Sequence, residues 1–238
     1  MKKKLISIIL IIILLSGSYV GYRLLKKDPQ ATDTERFKKE YESLNNQINP
    51  TNNLTYPKVI IDELTPIKYA STDEALSLLK NGTGIIYFGF ASCPWCRTAI
   101  PVFFNAVFNS NIDEVLYVDI EQMRSKIVVQ NGKAVTEKKG TTEYYQIIKA
   151  LDKNLDEYTG LDENNQVIDF GEKRLFAPTF VFVIEGKVIG IHVSTVKSQV
   201  NAYEALTSEQ EQELYDIYNS YILQISNTSC GSDIQEEC

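Results

Sequence analysis

Hydrophobic residues along this chain fall into short dense runs divided by polar turns, and the runs switch between a strand pattern and a helix pattern. Residues 84–90, Gly-Ile-Ile-Tyr-Phe-Gly-Phe, are continuously apolar and rich in β-favouring side chains. That predicts a central strand buried on both faces. Directly after Ala91 and Ser92 comes Cys93-Pro94-Trp95-Cys96, and then a helical stretch bearing Ala99, Ile100, Val102, Phe103, Phe104, Ala106 and Val107. Residues 115–120 supply another apolar strand, so the order strand, helix, strand predicts a right-handed parallel βαβ unit. The pattern resumes behind Pro178 with runs at 179–184 and 188–193, joined at Glu185-Gly186-Lys187, which predicts an antiparallel hairpin. A last helix from Thr207 or Ser208 presents Leu214, Tyr218, Tyr221, Ile222 and Ile225, and residues 226–238 read as a polar tail.

Upstream, Ser71-Thr72-Asp73-Glu74 forms a capping box that opens a helix to Lys80, stopped by Asn81-Gly82. Residues 58–61 and 67–70 are expected as short strands. Phe37, Tyr41 and Leu44 recur at helical spacing after a cap at Asp33. This stretch fits either a docked amphipathic helix or a solvated spacer. Residues 125–174 are less regular. They contain a hairpin signal at Gln130-Asn131-Gly132-Lys133, a helix over 141–151 with Tyr144, Ile147, Ile148 and Leu151 on one face, and a turn at 162–165. The segment reads as an insertion, serving as a docking surface, a lid or decoration.

At the N-terminus Lys2, Lys3 and Lys4 precede an uncharged run over residues 5–22. That is the lower length limit for a membrane-spanning helix, and a cleaved signal peptide has the same outline. The lysines favour a cytoplasmic N-terminus and an extracytoplasmic domain, while Arg23, Lys26 and Lys27 weaken that bias. The chain therefore divides into an anchor or signal over 1–25, a polar linker with a short helix over 26–56, a domain over 57–228 and a tail over 229–238. Cleavage would make the domain secreted; retention would make it single-pass and tethered to the cell membrane.

Composition removes several function classes. A net charge of −7 without a basic cluster argues against nucleic acid. One histidine, His192, cannot build a histidine-rich metal site. It sits in the second strand of the late hairpin, as a partly exposed sheet residue. Four cysteines, at 93, 96, 230 and 238, pair most naturally as 93–96 and 230–238. The gap between Cys230 and Cys238 is wrong for a zinc ribbon, so no metal is expected. In an exported tail that pair forms a structural disulfide, or else a relay exchanging electrons with Cys93–Cys96.

The thiolate is the attacking species in disulfide exchange, and a helix N-terminus stabilises it. Cys93 is placed where a buried strand hands over to a helix. Pro94 suits the first helical position, and Cys96 lies within one turn, able to resolve a mixed disulfide formed at Cys93. On this reading Cys93 is the exposed nucleophile, Cys96 the buried resolving thiol, and Trp95 covers the site or meets the substrate.

The run from Tyr87 through Cys93-Pro94-Trp95-Cys96 resembles the active-site strand, turn and helix of the thioredoxin superfamily. Pro101 resembles its helix-kinking proline, and Ala177-Pro178-Thr179 resembles its cis-proline loop, which packs on the cysteines and offers its backbone to an extended substrate. The likeness covers roughly residues 67–225 without the insertion. With the N-terminal segment and the Tyr-Phe-Gly-Phe run, it is similar to thioredoxin-like proteins that accompany bacteriocin export in Gram-positive bacteria. The resemblance implies a thioredoxin-like α/β fold, a central mixed sheet flanked by helices, with the insertion before the cis-proline loop and an N-terminal transmembrane helix. It implies a thiol–disulfide oxidoreductase without cofactor, acting on exported cysteine-containing peptides or proteins, with a membrane redox partner. An outer location favours forming or reshuffling disulfides; a membrane-tethered reductase and a non-catalytic peptide-binding module are the alternatives. One departure stands out: where many relatives carry a buried carboxylate six residues before the first cysteine, this chain has Tyr87. Water, Glu74 or another acid would then have to take the Cys96 proton.

Overall fold

The computed structural model describes residues 31–230. Helix α1 (Asp33–Glu42) leads into strand β1 (Ile67–Tyr69), helix α2 (Thr72–Asn81), strand β2 (Gly84–Gly89), helix α3 (Pro94–Phe108) and strand β3 (Val115–Asp119). A hairpin of β4 (Lys126–Gln130) and β5 (Lys133–Lys138) precedes helix α4 (Thr142–Ala150). A second hairpin, β6 (Glu157–Leu161) and β7 (Val167–Lys173), precedes the closing elements β8 (Thr179–Ile184), β9 (Lys187–Val193) and α5 (Ser208–Cys230).

Five strands form one mixed sheet in the order β1-β3-β2-β8-β9. β2 lies in the middle, parallel to β3 and antiparallel to β8, because the α3 crossover returns the chain in the same direction while β8 enters from the other side. This is an α/β architecture with a mixed five-stranded sheet flanked by helices, compatible with the expected thioredoxin-like arrangement. The loops of the β4–β5 and β8–β9 hairpins each have two residues with positive φ, Asn131-Gly132 (52° and 71°) and Glu185-Gly186 (49° and 74°). That backbone matches the twist of the paired strands.

Registered side chains build a row of rings across the sheet. Tyr69 pairs with Tyr117, Tyr117 with Tyr87, Tyr87 with Phe180, and Phe180 with His192. Tyr87 stacks on Phe180 at 4.8 Å and on Tyr117 at 5.2 Å, and Phe103 of α3 covers Phe180 at 4.3 Å. Tyr218 of α5 meets Phe180, Phe103 and His192 edge-on. Helices α2 and α4 pack together, with Ala75, Leu79, Tyr144 and Ile147 joining the same core.

Helix α1 is docked, which decides between the two readings of its sequence. Phe37 and Tyr41 are 0% exposed, lie 4.3 Å apart and meet Tyr87, Tyr117 and Phe104 at ring-centroid distances of 5.0 to 6.5 Å. Burying two such rings stabilises by roughly 2–3 kcal/mol each, enough to hold a ten-residue helix that would be marginal alone. Residues 58–61, expected as a strand, form none. Val59 exchanges hydrogen bonds with the Asn45 side chain, Ile61 N–H donates to Glu42, and Lys38 donates to the Ile61 carbonyl. Helix side chains thus satisfy this backbone where a neighbouring strand otherwise would.

Two further differences concern boundaries. Within the segment read as an insertion, α4 belongs to the core through Tyr144, Ile147, Ile148 and Leu151, while β6 and β7 pair as a hairpin that the sequence did not announce. Helix α5 continues past residue 226, because Ile222, Ile225 and Ser226 share its buried stripe. No helix among the described residues is long and apolar enough to cross a membrane. The expected anchor over 1–25 lies outside the described residues, as does the pairing of Cys230 with Cys238.

Candidate functional site

The site is assembled by the end of β2, the start of α3 and the loop entering β8. Cys93 is the N-cap of α3, with extended backbone (φ −82°, ψ 115°) and Pro94 at the start of the helix. Its sulfur accepts the Cys96 N–H at 3.2 Å, and its thiol donates to the Ala177 carbonyl at 3.2 Å. The Ala177–Pro178 peptide bond is cis. Its loop is pinned on both sides: Leu175 N–H donates to the Tyr144 hydroxyl at 3.1 Å, Thr179 Oγ1 donates to the Phe176 carbonyl at 2.7 Å, and Ser194 N–H donates to the Pro178 carbonyl at 2.9 Å. Tyr144, a core residue of α4, is therefore one of the groups that set the height of the loop over Cys93.

Both cysteines are free thiols. Cys93 is only 5% exposed, more covered than an exposed nucleophile, because its sulfur turns inward toward the helix N-terminus and the Ala177 carbonyl. Burial by itself would raise its pKa. The hydrogen bonds from the Cys96 thiol and backbone, the charge of Arg124 and the Trp95 backbone outweigh that, and the thiol lies below its ordinary range. Cys96 is 0% exposed and moves the other way: burial, then the charge and hydrogen bonding of Cys93, push it well above the ordinary thiol range. Two sulfurs three residues apart are thus split into an easily ionised one and a protonated one.

Tyr87 lies beneath Cys96. Its phenol faces the Cys96 sulfur, which lowers the Cys96 thiol against the effect of burial, and shares a 2.7 Å hydrogen bond with the Tyr41 hydroxyl. Burial holds the Tyr87 phenol well above its ordinary pKa, so it acts as a neutral hydrogen-bonding group. Gly89, two residues on along β2, leaves the room this ring needs: a Cβ there would sit 2.3 Å from the Tyr87 hydroxyl. Glu74 is committed elsewhere, to the Ser71 capping box and to Lys68.

Arg97 follows Cys96 directly and is 1% exposed. Its guanidinium donates to the carbonyls of Pro57 (2.7 Å), Tyr41 (2.7 Å) and Ala91 (3.2 Å) and to Asn45 Oδ1 (2.6 Å). Four acceptors compensate its desolvation, and the residue ties α1 and the segment at 57 to the cysteine loop. The one local sign of this role is a charged residue placed among the apolar positions of α3.

Of the residues singled out from sequence, Cys93, Pro94, Trp95, Cys96, Ala177 and Pro178 come together. Trp95 is half-buried against the core. Pro101 lies further along α3 on its exposed side, where it leaves the Arg97 carbonyl without the usual helical N–H. Cys230 ends α5. Among the described residues, no cluster of three His, Cys, Asp or Glu side chains is disposed to hold a metal ion. No protein-family model matches the chain, and no curated protein matches it.

Proposed function

We propose that the chain is an extracytoplasmic, membrane-tethered thiol–disulfide oxidoreductase with a thioredoxin-like fold, forming or reshuffling disulfides in exported peptides or proteins. The observation that carries this reading is the placement of Cys93: a low-pKa thiol at a helix N-cap, 3.2 Å from the carbonyl that precedes a cis-proline. In reshuffling, the Cys93 thiolate attacks one sulfur of a substrate disulfide. A Cys93–substrate bond forms, the substrate S–S bond breaks, and the departing sulfur leaves as a thiolate. That thiolate re-attacks elsewhere in the substrate, or Cys96 attacks Cys93, releases the substrate thiol and leaves the Cys93–Cys96 disulfide. In net oxidation the same steps run in reverse from that disulfide, and a disulfide-bearing membrane partner takes up the two electrons. The sequence's resemblance to bacteriocin accessory proteins supports exported peptides as the substrate.

Two assays run side by side test the proposal: reduction of insulin by a small-molecule dithiol, and refolding of a reduced, disulfide-containing substrate. Acceleration of refolding, lost in Cys93→Ser, is the expected result. Acceleration of insulin reduction alone identifies a reductase, and silence in both ends the enzymatic reading.

A further inference from the structure

Two neighbouring guanidiniums lie by the cysteine loop: Arg124, whose charge acts on Cys93, and Arg174, which acts on Arg124. Arg124, between β3 and β4, lays its Cζ 4.5 Å from the Phe90 ring centroid, and its Nε is buried with no hydrogen-bond partner. Arg174, on the strand-like approach to the cis-proline loop, lies 4.3 Å from the Tyr158 ring and 5.9 Å from the Phe176 ring, and donates to the Ser125 carbonyl at 3.1 Å. The two cations are near enough to repel one another, and the field of Arg124 reaches the Cys93 sulfur. Among the described residues, no carboxylate lies within 4.0 Å of either guanidinium. The nearest acids turn to hydroxyls instead of the guanidiniums: Glu172 accepts from Ser125 and Tyr145, and Glu121 accepts from Ser92.

Holding two like charges together in partly desolvated positions is costly unless an anion completes the set. Aromatic rings adjoin both guanidiniums. Phe176, 41% exposed, sits between Arg174 and the Ala177 carbonyl, and Tyr158 meets it edge-on at 5.9 Å. An extended chain running along the Ala177–Pro178 backbone would therefore pass an aromatic surface and then two unpaired guanidiniums.

We propose that Arg124, Arg174, Tyr158 and Phe176 form a specificity subsite for an acidic cysteine peptide, one carrying a carboxylate beside the cysteine that reacts with Cys93. The inference deepens the oxidoreductase reading and rests on it. The carboxylate takes no part in the electron flow; the guanidiniums hold it by charge-assisted hydrogen bonds while the Cys93 sulfur exchanges. Arg124 and Arg174 are positioning residues. The second hairpin, which supplies Tyr158, thereby becomes part of substrate selection.

The test uses the full-length protein and three peptide disulfides identical except for Glu, Gln or Lys next to the cysteine. The second-order rate of exchange is expected to be about tenfold higher for the Glu than the Gln peptide, with Lys slowest. That ratio should shrink toward one as salt rises from about 0.01 M to about 1 M. Arg124→Gln and Arg174→Gln should each reduce the Glu/Gln ratio, which cancels any change in the reactivity of Cys93 itself. Equal rates for the three peptides with the unmodified chain overturn the subsite and leave the redox reading standing. Absence of exchange with every peptide overturns the redox reading instead. Binding of S-methylated peptides, followed by Trp95 fluorescence, then decides the subsite alone: tighter binding of the Glu peptide supports it, and equal binding refutes it.

Discussion

Tyr87→Phe removes a single oxygen from the buried contact beneath Cys96, and its cost follows from the partners of that oxygen. The Tyr41 and Tyr87 hydroxyls are 2.7 Å apart and both residues are 0% exposed, so no water replaces a lost partner. Phenylalanine keeps the stacking on Phe180 and Tyr117, which leaves polar satisfaction as the main change. Stranding the Tyr41 hydroxyl costs about 1–3 kcal/mol. Tyr41→Phe should cost less, because the Tyr87 phenol retains Cys96 as a partner. The double variant strands neither of these two hydroxyls, so its loss falls short of the sum and the coupling is about 1 kcal/mol. Urea unfolding of the four proteins, followed by Trp95 fluorescence, measures it. A second readout belongs to the chemistry. Losing the phenol removes a hydrogen bond that lowers the Cys96 thiol, so Cys96 ionises less readily and a mixed disulfide at Cys93 resolves more slowly, by about three- to fourfold per unit of thiol pKa once the greater nucleophilicity of the more basic thiolate is counted. Additive losses within about 0.3 kcal/mol, together with an unchanged resolving rate, would refute the argument.

Two further outcomes follow from the same geometry. Alkylation of Cys93 by iodoacetamide should stay fast as pH falls below the ordinary thiol value of about 8.5, and decline only beneath the lowered value, because the anion persists above the folded pKa. Arg124→Gln should move that midpoint upward; a midpoint at or above that of a free thiol contradicts the helix N-cap assignment. Arg97→Met strips the carbonyls of Pro57, Tyr41 and Ala91 of a donor and should destabilise the fold by about 1–3 kcal/mol for each acceptor left buried and unpaired. Arg97→Lys should recover only part of this, since a single ammonium cannot reach all four acceptors, and amide exchange in α1 should accelerate in both variants.

Elements governed by neighbours along the chain were legible beforehand. The capping box at Ser71 and Glu74 forms as expected, with each side chain bonded to the other residue's backbone N–H. The Asn131-Gly132 turn and the run at 84–89 likewise declare a hairpin and a central strand through residues no more than a few positions apart. Residues 58–61 misled because the β-branched run Val59-Ile60-Ile61 signals extended backbone but names no partner; the partner turned out to be polar side chains at and just after the end of α1. The β6–β7 hairpin escaped notice because its exposed side chains alternate weakly and its turn was the only local mark.

The Cys93–Cys96 spacing, the helix start at Pro94 and the proline ahead of β8 are local facts, and the sequence by itself determined them. Which sulfur ionises, and what surrounds it, was decided only when distant segments met. Tyr41 reaches Tyr87 across 46 positions and Cys93 reaches Ala177 across 84. Arg124 and Arg174 come within reach of one another only because α4 and the second hairpin, which lie between them in the chain, fold back. Periodicity, caps and turns act over a few residues, whereas burial, field and hydrogen-bond partners belong to the packed whole.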